Sequence, residues 1–91
     1  MNPEDKAAEL RRALRPGRVV KDDQGRSTTV LSPYEPCEVC RTLIVGLDHR
    51  TQGRCVAEVR AVFRNLTRGG LWVGFRHHTP TRCRTLKRTV G

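Results

Sequence analysis

Arg54-Cys55-Val56-Ala57-Glu58-Val59-Arg60-Ala61-Val62-Phe63-Arg64 is the stretch whose reading sets the fold. Wound as a helix, it gathers Cys55, Val56, Val59, Val62, Phe63 and, just beyond, Leu66 into one apolar stripe. Extended, it points Cys55, Ala57, Val59, Ala61 and Phe63 to one side and Arg54, Glu58, Arg60 and Arg64 to the other. Periodicity leans slightly to the helix, and context leans to the strand. The turn Arg50-Thr51-Gln52-Gly53 precedes it, Gly69-Gly70 follows it, and no good cap stands before Arg54. The strand reading is therefore taken.

Its neighbours then fall into a meander. Residues 42–49 are apolar and β-prone, and Leu71-Trp72-Val73-Gly74-Phe75 opens a third strand over 71–77. Upstream, Val19-Val20 and Thr28-Thr29-Val30-Leu31 flank Asp22-Asp23-Gln24-Gly25, a hairpin over 18–31. Ser32-Pro33-Tyr34-Glu35-Pro36 stays extended because of its two prolines. Residues 3–15 read as a short helix. Asn2 is its N-cap, Pro3 its first helical position, and Pro16-Gly17 its stop. Ala7, Leu10 and Leu14 form a narrow stripe, so this helix either docks or frays into an arm. Residues 84–90 either close the sheet as a last short strand or trail as a basic tail.

The prediction is one α+β, β-rich domain over 1–91: a small antiparallel sheet or barrel of about five strands, with the N-terminal helix on one opening. It divides into a helix or arm (1–17), a β-rich core (18–78) and a basic C-terminal segment (79–91).

The four cysteines bear on how so short a chain is held. The start, Met1-Asn2-Pro3-Glu4-Asp5-Lys6, is polar and lacks the apolar run of a secretory signal, so a cytoplasmic chain with reduced thiols is expected. Cys37-Glu38-Val39-Cys40 then reads as half of a structural zinc knuckle, since two thiolates at this spacing can grip one ion. The expected ligands are Cys37, Cys40, Cys55 and Cys83, with His78 and His49 as alternates. His78 and Cys83 can act together around the Thr79-Pro80 turn, and His49 and Cys55 across the turn at 50–53. Full ligation by protein groups leaves no position for a reacting water. No serine stands with a matching histidine and carboxylate, so no enzyme is expected and no catalytic residue is assigned.

Charge points to the partner. From Val59 to Gly91 there is no Asp or Glu, while Arg60, Arg64, Arg68, Arg76, Arg82, Arg84, Lys87 and Arg88 supply eight of the formal +9. Arginine outnumbers lysine fifteen to three, and guanidinium forks match phosphate oxygens. The segment should attract a polyanion. RNA or DNA is expected, bound through those eight residues with Trp72 as a stacking surface. The alternative is an adaptor or inhibitor that docks on an acidic protein face.

Asn65-Leu66-Thr67-Arg68-Gly69-Gly70 resembles the Asn/Asp-x-Ser-x-x-Gly motif of the PilZ cyclic-di-GMP receptors, and Arg11 and Arg15 fit that family's Arg-x-x-x-Arg element. Thr67 stands in the serine position, the spacing between the elements is long, and the 21 residues after Gly70 are too few for the remaining PilZ strands. No site is carried over.

Overall fold

A computed structural model describes residues 3–64 and 71–90. Among these residues the chain forms α1 (Pro3–Ala13), β1 (Val19–Asp22), β2 (Ser27–Val30), β3 (Glu35–Pro36), β4 (Leu43–His49), β5 (Gly53–Arg64), β6 (Leu71–His77) and α2 (Pro80–Val90). The stretch that sets the fold is thus a strand. The Asn65–Gly70 motif, the Gly69-Gly70 turn, Leu66, Arg68 and the Asn2 cap lie outside the described residues.

The strands bond in the order β2-β1-β6-β5-β4-β3, and β2 also pairs with β4. That extra pairing closes a ring of β1, β2, β4, β5 and β6. Going round it, β1–β2, β2–β4, β4–β5 and β5–β6 are antiparallel, while β1–β6 is parallel. The sheet is therefore mixed, not antiparallel throughout. The reason is parity: five strands cannot alternate direction all the way round a ring, so one seam must be parallel. Each of these five strands thus has a neighbour on both sides, although the β1–β6 seam spans only Lys21–Trp72 and Asp22–Val73.

Within β5 the register shifts between Val59 and Ala61, so Arg60 is an extra residue. Such a bulge reverses which alternate side chains face inward. Before it, Cys55, Ala57 and Val59 pack toward the core; after it, Val62 does, while Phe63 is turned out and is 47% exposed. The inward set has steps of two, two and three. The three-residue step is what made the segment resemble a helix.

The core is built from Val20, Val30, Val45, Leu47, Ala57 and Val73 inside the ring, joined by Leu10, Leu14 and Tyr34. Leu14 is fully buried, so α1 docks rather than frays. Burying one such leucine is worth ~1.5–3 kcal/mol. Helix α1 covers the end of the ring where Leu43 and Val62 lie, and the opposite end stays open. At that open end the β1–β2 turn has Gly25 at φ +78, with the outward Trp72 ring against it.

The C-terminal segment is neither a strand nor a tail. Thr79 caps α2, its hydroxyl accepting from the Arg82 backbone N–H at 3.1 Å, and Pro80 takes the first helical position. Its side chains over 80–87 bury little beyond part of Arg82, Cys83 and Leu86. A helix this short does not hold itself in water; something else must moor it. No helix among the described residues is long and apolar enough to cross a membrane.

Candidate metal centre

The loop between β3 and β4 is wound tightly. Cys37 N–H donates to Thr42 O at 2.7 Å and Arg41 N–H to Cys37 O at 2.9 Å. Arg41 completes the turn at φ 68, a left-handed conformation unusual for a side-chain-bearing residue. This turn aims both thiols of the Cys-x-x-Cys pair at the chain leaving β6. There His78 follows the strand directly, and Cys83 lies on the first turn of α2, its N–H bonded to Thr79 O at 2.9 Å.

Four donors meet: Cys37, Cys40 and Cys83 Sγ with His78, all within 4.8 Å of one another. Cys37 Sγ and Cys83 Sγ are 3.8 Å apart, and Cys40 Sγ and His78 Nε2 are 3.6 Å apart. Donors on one tetrahedral ion, with bonds of ~2.0–2.3 Å, stand roughly 3.3–3.8 Å from each other. The cluster can hold a metal ion, and all four corners come from the chain itself.

A second layer orients it. His78 Nδ1 lies 2.9 Å from Glu58 Oε2, and Glu58 takes two bonds from Arg82, Nε to Oε2 and Nη2 to Oε1, each 3.1 Å. Glu58 is only 8% exposed. Burial pushes its carboxyl up, but bonds from Arg82 and His78 outweigh this and hold it below the usual carboxylate range. An ionised carboxylate only accepts, so the imidazole proton sits on Nδ1. Nε2 then presents its lone pair to the thiols.

The thiols differ. Cys37 is lowered to about 6, chiefly by the backbone N–H groups of Cys40 and Val39. Cys40, 1% exposed, is lowered chiefly by its bond to Thr42. Cys83 is raised to about 11 by desolvation and by its thiol neighbours. Thiolate character therefore starts at Cys37, as a metal ligand requires.

Of the expected ligands, Cys37, Cys40 and Cys83 are brought together and Cys55 is not. Cys55 sits on β5 opposite Leu47, facing the core, where burial raises its thiol. His78, an alternate in the sequence reading, takes the fourth corner. His49 lies elsewhere, 3.2 Å through Nδ1 from the Thr28 hydroxyl. Sequence reasoning missed Glu58 and its bond to Arg82. The only available signal was an acid amid apolar residues on a strand.

The eight cations are not equivalent. Arg82 is withdrawn from any binding strip, because it is spent on Glu58. Arg60 lies 3.4 Å from Asp23. Arg76, Arg84 and Lys87 are exposed, and the side chains of Arg64 and Arg88 lie outside the described residues. Trp72 is half-buried, and Phe63, not anticipated, is exposed directly across from it on the neighbouring strand.

Comparisons with protein-family models, with curated proteins and with solved structures find no match, so the functional reading rests on this geometry.

Proposed function

We propose that the chain is a small non-enzymatic binding module, stabilised by one structural zinc ion, that binds RNA or DNA mainly through phosphate contacts. Three thiolates and an imidazole suit zinc among the common ions, and a site closed by four protein groups is of the structural kind. One observation carries the reading: the helix that bears exposed Arg84 and Lys87 begins at the four-donor cluster. Two of the four donors, His78 and Cys83, lie at its start, and Arg82 ties it to Glu58. Zinc would hold this acid-free helix against the sheet and present its outer side, with Arg76 beside it, to a polyanion.

The test is a salt-titrated binding assay of the zinc-loaded protein with mixed RNA and DNA oligonucleotides. A footprint of Arg76, Arg84 and Lys87 gives a slope of about −3 for log K against log salt. Arg84→Glu with Lys87→Glu should weaken binding evenly across sequences and flatten that slope by about 2. An absence of binding at low salt would defeat the nucleic-acid reading and leave the acidic protein face as the partner to pursue.

A further inference from the structure

The end of the ring that α1 leaves uncovered opens into a cavity of about 380 Å³ between the β1–β2 turn and the turn joining β4 to β5. This volume falls in the range of small-ligand sites. Ala57 and Phe75 line it from the strands, and His49 and His77 stand beside them. The two imidazoles are nearly parallel, with ring centroids 6.4 Å apart and planes at 19°. Phe75 meets His49 edge-on at 6.5 Å and 77°. The buried Thr28 hydroxyl engages His49 Nδ1 at 3.2 Å, which fixes that ring.

The charges around the mouth are unevenly committed. Asp22 accepts the backbone N–H groups of Gln24 and Arg26 at 2.9 and 2.8 Å, which shapes its own turn. Asp23 is paired with Arg60. Lys21 Nζ donates one N–H to Ser27 Oγ at 2.9 Å and keeps two N–H groups to offer. Arg50 stands exposed on the opposite turn. Both acids are thus engaged, while cationic donors remain on two walls around flat aromatic faces.

From this we infer that the open mouth of the ring binds a small planar anion, a flat ring of nucleotide size bearing a phosphate or carboxylate. The ring lies among Phe75, His49 and His77, and the acidic group lies with Lys21 and Arg50. Sequence neighbours serve the two sites from opposite sides of the sheet: Ala57 and His77 line the mouth, while Glu58 and His78 belong to the metal centre. Among the described residues none from α2 lines the mouth, so this site is separate from the proposed nucleic-acid surface.

The experiment is an amide and imidazole chemical-shift titration of the zinc-loaded protein with each of four nucleoside monophosphates, with benzoate, and with inorganic phosphate. A planar anion should give saturable shifts at His49, Phe75 and His77, and the better of the nucleotide and benzoate arms names the source. Stacking is worth ~1–3 kcal/mol per ring, so inorganic phosphate alone should bind about 5- to 150-fold more weakly. His77→Ala and Arg50→Glu, both exposed positions, should each weaken the planar anion several-fold while the rest of the spectrum stays that of the folded protein. No saturable shift at millimolar nucleotide and benzoate, shifts that map away from the mouth, or phosphate binding as well as the planar anions would each overturn the inference.

Discussion

Glu58→Gln is the sharpest single perturbation of the metal centre. The amide keeps the volume of the carboxylate but carries one acceptor where there were two. Glu58 Oε2 receives both His78 Nδ1 and Arg82 Nε, so the glutamine oxygen belongs there. Its NH₂ then faces Arg82 Nη2, which now sits 3.1 Å from Oε1, and two donors oppose each other in a site 8% exposed. Breaking a buried charged pair costs ~3–5 kcal/mol. Arg82 is 34% exposed in its side chain, so water screens part of that loss and about 2 kcal/mol is the better figure. A domain of this size has roughly 5–14 kcal/mol in total, so the melting temperature should fall visibly. The acceptor that orients the histidine also changes from a carboxylate to a neutral amide oxygen, which should weaken zinc toward the lower end of about 10–100-fold. Competition against a chromophoric chelator measures the affinity, and thermal melts with and without chelator measure the stability. Zinc affinity within twofold of the parent, together with an unchanged melt, would refute the claim that Glu58 positions His78.

Cys55→Ser should leave zinc stoichiometry at one, whereas Cys83→Ser should lose tight binding and make the melt insensitive to chelator; metal analysis of both purified proteins checks this. In the metal-free protein, Cys37 should alkylate first, with a rate midpoint near pH 6, while Cys83 stays protonated until about 11; mass spectrometry of iodoacetamide-labelled peptides across pH gives both curves. The same shift sets a stability window. The folded value of Cys37 is depressed from 9.0, so its contribution is present above that unfolded value and is lost as pH falls through about 6. A metal-free melt that does not weaken across this range would count against the assigned environment of Cys37.

Much of the fold was legible because its strands are bounded by turn residues with little ambiguity. The hairpin around Asp22-Asp23-Gln24-Gly25 and the meander from Leu43 to His77 both follow from local chemistry. Closure of the ring, and with it the parallel seam, was not legible, since pairing between β1 and β6 is set by long-range geometry that no local pattern records. The bulge at Arg60 was hidden for a related reason: an inserted residue mixes two periodicities within one strand. Helix α2 was missed although Thr79-Pro80 is a reasonable start signal. Its threonines and its arginines near the positive end of the helix argued against it. At the metal centre the Cys-x-x-Cys pair was plain. Choosing His78 over Cys55 needed the knowledge that α2 begins immediately after β6.

The parallel seam also governs the order in which the molecule can assemble. Lys21 finds Trp72 across roughly fifty intervening residues, and a loop that long closes only at an entropic cost that grows with its length. Non-local joining of this kind slows folding. During synthesis the hairpin and the middle strands emerge early but keep raw edges until β6 appears, and the knuckle cysteines wait longer still for Cys83. The nascent chain is therefore most prone to self-association in the interval before its last strand and helix arrive.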